Sequence, residues 1–155
     1  TKRMDDRECV LRYCAFHLKP YTEYKESNFN EFLSSAMVSI NKMKPNEIEM
    51  LENSFFRAMR ISKSVFGQYA FRKMYRKSYS RNPINKSLFE VWSVCLEGFD
   101  ENELLKNKDK IIDGFIDKMN NDDVYLQSVT QGTGGKKRVH KRFSTTLDII
   151  KEAIS

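Results

Sequence analysis

The apolar positions of this chain recur at helical spacing almost from end to end, and no segment alternates convincingly with a period of two. The clearest case runs from Asn46 to Phe66. Ile48, Leu51, Phe55, Ala58, Ser62, Val65 and Phe66 fall on one stripe, with Arg57, Arg60 and Lys63 on the opposite face. Pro45 precedes this segment, Asn46 and Glu49 suit an N-cap with its capping box, and Gly67 follows the last turn. So apolar a stripe has to be covered, and this helix is expected to organise the rest of the chain around it.

Ahead of it, Asp5 to Lys19 predicts a helix that buries Val10, Leu11, Cys14 and Leu18, with Tyr13 and Phe16 alongside. Asp5 and Asp6 suit its electropositive start, and Pro20 ends it. After a polar loop from Tyr21 to Ser27, the Asn28-x-x-Glu31 box opens a second helix. Phe29, Phe32, Leu33, Ala36, Met37, Ile40 and Met43 share one wide stripe there. Its Met-rich side reads as core filling rather than as a partner groove.

Beyond Gly67 the pattern is irregular as far as Pro83, with room for a short helix from Phe71 to Lys77. A helix from Ile84 or Asn85 to Leu96 follows, with Leu88, Val91, Trp92 and Cys95 inward and Gly98 as its stop. Asn102 to Met119 predicts another, its apolar side formed by Leu104, Leu105, Ile111, Ile112, Phe115 and Met119 and weakened by Gly114. Asn120-Asn121 reads as a turn, Asp122 as a cap, and Val124 to Val129 as a short helix. A glycine-rich loop, Gly132 to Gly135, leads into a last helix that buries Val139, Phe143, Thr146, Leu147, Ile150 and Ile154. The expected fold is all-α: a single domain, an irregular bundle of about six to eight helices.

Composition narrows this further. At 155 residues and 40% hydrophobic content the chain is long enough to bury one core. It contains no apolar run of about 18 residues and no signal-peptide pattern, so no membrane association is expected. Cys9, Cys14 and Cys95 form no CxxC pair and read as reduced thiols, which points to the cytoplasm. His17 lies in an apolar neighbourhood and is expected to be packed; with His140 it supplies too few ligands for zinc, so neither metal nor cofactor is anticipated. Thr1 is not an initiator, and an amphipathic helix begins within a few residues of it. The chain is therefore expected to be the C-terminal part of a longer protein, or a domain cut from one.

The layout of charge says more than its total. The chain carries 27 Lys and Arg against 21 Asp and Glu, a net of +6. From Asn53 to Phe89 there is no acid, while Arg57, Arg60, Lys63, Arg72, Lys73, Arg76, Lys77, Arg81 and Lys86 supply nine positive charges. From Val124 to Leu147 there is again none, and Lys136, Lys137, Arg138, Lys141 and Arg142 add five. With fourteen charges in those stretches and +6 overall, the remainder nets −8. Such segregation predicts positive surfaces, and phosphate backbones are the obvious partner for them. Arg72, Lys73, Arg76, Lys77 and Arg81, together with the five tail cations, are the expected nucleic-acid contacts, with Tyr69, Tyr75 and Tyr79 available to stack on unpaired bases. The alternative is that the arginine stems cover apolar surface and their heads meet acids of the same protein.

Gly132-Thr133-Gly134-Gly135-Lys136-Lys137 has the composition of an anion nest at a helix start. It lacks P-loop spacing and no strand precedes it, so a flexible connection is the expectation. No catalytic motif emerges: H-E-x-x-H and G-x-S-x-G are absent. The carboxylate pairs Asp5-Asp6, Asp122-Asp123 and Glu47/Glu49 each suit a helix start.

Four segments resemble the helical region of the GmrSD-type modification-dependent restriction systems and their phage-defence relatives. Arg3 to Tyr13 is similar to that group's R-x-x-D-x-E-x-V-L-R-aromatic opening. Phe66-Gly67-Gln68-Tyr69-Ala70-Phe71 resembles its F-G-x-x-A-F segment, and Asn82 to Glu90 its x-P-x-N-x-A-L-F-E segment. Val139 with Arg142-Phe143 resembles the closing V-x-x-R-F. The resemblance implies a ParB-like N-terminal domain ahead of this chain, credited with nucleotide hydrolysis through an Asp-Gly-Gln-Gln-Arg motif, and in many members a His-Asn-His-type nuclease domain behind it. Neither is in this sequence, so no catalytic residue carries over. Arg7, Arg12, Asn82, Asn85 and Arg142, which match the motifs, either contact the missing domain or its ligand, or cap and cross-link helices.

The expectation is a non-catalytic helical domain of a DNA-restriction or phage-defence protein. It would brace the ParB-like domain and offer DNA a basic, sequence-independent surface. The alternative is a protein-interaction or oligomerisation module with no nucleic-acid role.

Overall fold

The computed structural model describes residues 2–25 and 28–155. Thr1 and the Glu26-Ser27 end of the expected Tyr21–Ser27 loop lie outside the described residues. Eight α-helices follow one another: α1 (Lys2–Leu18), α2 (Phe29–Asn41), α3 (Pro45–Phe66), α4 (Lys86–Glu97), α5 (Glu101–Lys106), α6 (Lys108–Asn121), α7 (Asp123–Thr130) and α8 (Lys136–Ile154). Short 3₁₀ turns occupy Tyr21–Glu23 and Gly67–Tyr69. The only extended pairing among the described residues is an isolated bridge between Arg72 and Ile84. The all-α expectation holds.

The centre is α4, not the long helix α3. Nine of the twelve residues of α4 are buried, on every side of the helix. It packs against α1, α3, α7 and α8. A helix that is apolar all round belongs in the interior, whereas one with a single apolar stripe forms a wall. The stripe on α3 does face inward, with Leu51, Ala58, Ile61, Ser62, Val65 and Phe66 buried. Trp92 of α4 sits among Phe66 and Phe115 at ring distances of 4.8 and 5.3 Å, all three edge to face.

Local chemistry sets the helix ends. Asn28 caps α2, its side-chain oxygen accepting from the amides of Asn30 and Glu31. Asn85 caps α4 through the Leu88 amide at 2.8 Å, and Asp122 caps α7 through the Tyr125 amide at 3.0 Å. The expected cap on α3 is displaced: Lys44 holds the N-cap position, its amide donating to Glu47 Oε1 at 3.1 Å, with Pro45 at the first helical position. The helix expected over Asn102 to Met119 starts at Glu101 and is broken at Asn107. That residue's side chain and amide both bond to the Glu103 carbonyl, which closes α5 before α6 begins. Gly114 belongs to a close crossing rather than to a weak point, since a Cβ there would stand 3.0 Å from Ile149 Cγ2 of α8. The short helix allowed over Phe71 to Lys77 does not form.

On α1 the buried face is Cys9, Arg12, Tyr13, Cys14, Ala15 and Phe16. The expected stripe is therefore rotated: Val10 and Leu18 are exposed and Leu11 is half-buried. The rotation follows from α1 packing chiefly on α4, where Arg12 reaches Glu90.

Candidate functional site

The ten cations expected to meet nucleic acid separate into distinct environments. Arg142 is fully buried, as is its partner Glu90. Arg142 Nε and Nη2 donate to Glu90 Oε2 at 3.0 and 2.7 Å, and its Nη1 donates to the carbonyls of Ser128 and Thr133. Arg12, 8% exposed, donates to the other Glu90 oxygen at 2.9 Å. Arg142 therefore cannot reach a phosphate. It tethers α8 and the glycine loop to α4. The signal was present in the sequence, because Val139, Arg142, Phe143 and Thr146 share one apolar stripe.

Several others are matched by the chain's own groups. Lys141 pairs with Asp122 at 2.8 Å and Lys77 with Asp113 at 2.9 Å. Arg138 donates to the Gln131 carbonyl, and Arg72 to the Asn82 carbonyl at 2.6 Å. Beyond the ten, Arg57 bonds the carbonyls of Glu97 and Phe99, Arg60 pairs with Glu101, and Lys86 with Asp5 and Glu8. Arg57 and Arg60 thus meet the junction of α4 and α5, Arg60 while still exposed. Lys73, Arg76, Arg81, Lys136 and Lys137 make no ion pair among the described residues. The first three belong to the loop between α3 and α4, the last two to the first turn of α8.

The glycine loop is held by side chains from other elements. Its carbonyls are engaged: Thr133 by Arg142, Gly134 by the Tyr24 hydroxyl. Gly134 lies so close to Phe29 that a Cβ would meet Phe29 Cβ at 2.7 Å. The loop is tied down rather than a flexible connection. Of the motif-matching residues, Asn85 caps α4 and also ties it to the Val129 carbonyl, and Asn82 bonds the Lys73 carbonyl. With Arg12 and Arg142, they cross-link the fold. Arg7 alone stands at an open edge.

That edge borders a groove of about 970 Å³ between α1, α2 and α3. From α1 come Val10, Leu11 and Cys14, and from α2 Leu33, Met37 and Ile40. The α3 side is Ile48, Leu51, Phe55 and Phe56. Asp6, Arg7 and Glu52 stand among the apolar lining as its charged groups, with Glu8 already held by Arg12 and Lys86. Val10, Met37 and Phe56 are 41, 51 and 63% exposed, and Met4 and Met50 on the same helices are more exposed still. The expectation that the Met-rich face of α2 fills the core fails at Met37. Phe32, Leu33 and Ala36 satisfy the core, and Met37 is left on the groove wall.

Burial pushes the Cys14 thiol up to about 11, so at neutral pH it is protonated and not a nucleophile. His17 is stacked on Tyr13 with ring centroids 5.3 Å apart, as a packed histidine. Among the described residues, no group of three or more His, Cys, Asp or Glu side chains is placed to hold a metal ion, and no helix is long and apolar enough to cross a membrane. Set against protein-family models, curated proteins and solved structures, the chain has no significant match in any of the three, so its function is argued from this geometry.

Proposed function

We propose that this chain is a non-catalytic helical docking domain, and that the groove between α1, α2 and α3 receives an apolar helix from the domain joined ahead of α1. The observation that carries this is the exposed apolar lining, with Val10, Met37 and Phe56 converging from three helices. Contiguous exposed apolar surface of this kind marks an interaction site. The wall on α2 runs from Asn30 to Asn41, about 16 Å, so a helix of about three turns fills it. Burying each large side chain contributes about 1.5–3 kcal/mol before the cost of ordering the partner is subtracted.

Position selects the occupant. Asp6 and Arg7, in the first turns of α1, line the groove, so a domain attached just ahead is held beside it at roughly millimolar effective concentration. The GmrSD-type resemblance names that domain as the ParB-like, nucleotide-hydrolysing one, and the role of this chain as bracing it within a DNA-restriction or phage-defence protein.

The test mixes the purified chain with the separately produced preceding domain and measures affinity by calorimetry. Met37→Glu and Phe56→Glu should each weaken docking at least tenfold, since a carboxylate is costly to bury there. Arg76→Glu, outside the groove, should bind like the parent. If both groove variants dock as well as the parent, the proposal is wrong.

A further inference from the structure

We infer that the loop from Tyr69 to Asn82 is a binding site for an unpaired nucleic-acid strand, its bases stacking on Tyr75 and Tyr79 and its phosphates meeting Lys73, Arg76 and Arg81. The inference stands apart from the docking groove, which lies on other elements.

The loop lacks regular structure, yet its backbone is fixed at many points. The Tyr69 hydroxyl donates to the Tyr79 carbonyl at 2.6 Å, and Asn82 Nδ2 donates to the Lys73 carbonyl at 2.8 Å. Arg72 holds the Asn82 carbonyl, and Asn120 of α6 reaches over to the Tyr75 carbonyl at 2.8 Å. Phe71 and Ser78 adopt positive φ, +64° and +54°, a costly conformation for side chains of their kind. Such strain persists where surrounding bonds over-determine it, and it concentrates at functional sites. A loop that served only as a connection would need neither.

What the loop presents is one-sided. It encloses a recess of about 190 Å³ lined by Tyr69, Lys73, Tyr75, Arg76 and Tyr79 among others. Arg76 Cζ lies over the Tyr79 ring, 3.9 Å from its centroid, while Tyr75 and Tyr79 remain 42 and 57% exposed. The segment holds no acid, and of its cations only Lys77 is neutralised by a carboxylate. Exposed rings beside unneutralised cations suit a strand whose base faces are free. A duplex hides those faces and would use the cations alone. The pattern therefore favours the unpaired strand.

The experiment uses the full chain and fluorescence anisotropy with a labelled twelve-nucleotide oligothymidylate and a duplex of equal length, each at two salt concentrations. The single strand should bind at least tenfold more tightly than the duplex. Tyr75→Ala with Tyr79→Ala should weaken it about tenfold or more without changing the salt slope. Both rings can be removed without loss of the backbone bonds, which use their carbonyls. Tyr79→Leu, which keeps apolar bulk, should also weaken binding. Lys73→Ala with Arg81→Ala should flatten the log–log salt slope by about one and a half units. The inference is overturned if the single strand does not bind at low salt, if the duplex binds equally well, or if the tyrosine variants bind like the parent and only the cations matter.

Discussion

The segment Ser87 to Leu96 of α4 and the segment Ile48 to Phe56 of α3 are both rich in apolar side chains, and the fold treats them oppositely. In the first, Leu88, Val91 and Leu96 are fully enclosed, and even the one carboxylate, Glu90, is sealed in with two arginines. In the second, Met50 and Phe56 are 68 and 63% exposed, and Ile48 and Phe55 face an open groove. Helices α1, α3, α7 and α8 pack α4 from several sides, whereas α2 and α3 do not close on each other and leave a groove beside α1. On the docking proposal, stability and interaction are divided between these two regions. The closed one fixes the bundle, and the open one leaves apolar surface free for a partner.

Substitutions can break this contrast or sharpen it. The largest effect is expected at Glu90. Glu90→Ala leaves Arg142 buried without a carboxylate and Arg12 with Glu8 alone, and should cost about 3–5 kcal/mol, read as a fall in the denaturation midpoint. Asn85→Ala removes both the cap of α4 and the tie to Val129, and should cost about 1–2 kcal/mol in the same assay. Met37→Ala and Phe56→Ala should each change the stability of the chain alone by less than about 0.5 kcal/mol, because little of either side chain is packed. A loss of several kcal/mol at Met37 would mean that the groove is closed in solution.

Much of this architecture was legible in the helical spacing, and the failures share a cause. Helix positions follow from local chemistry: Asn28, Asn85, Asp122 and Gly98 cap or stop helices where their side chains and backbone dictate. Which face a helix presents, and to what, depends on partners distant in sequence. Val10 and Cys14 lie on the same apolar side of α1, yet one is exposed and the other buried, because only part of that side is covered. The apolar stripe of α3 suggested a centre, but burial on every side makes α4 the centre.

The charge pattern carried over only in part. Folding breaks the segregation where α1, α4, α5 and α6 bring Asp5, Glu90, Glu101 and Asp113 to the cations of acid-free segments, and keeps it at Lys73, Arg76, Arg81, Lys136 and Lys137. Arg142 and Arg76 come from equally basic stretches, and one is a buried cross-link while the other lies on an exposed ring. Apolar neighbours at i−3 and i+1, Val139 and Phe143, distinguish Arg142, and Arg76 has lysines at both positions.

Amide hydrogen exchange, compared between this chain alone and the same residues joined to the domain proposed to precede α1, tests the docking groove most directly. The account predicts slower exchange over Asp6 to Cys14, Asn30 to Asn41 and Ile48 to Phe56 in the joined protein, with α4 and α8 unchanged. Identical exchange across those three segments in both would contradict it.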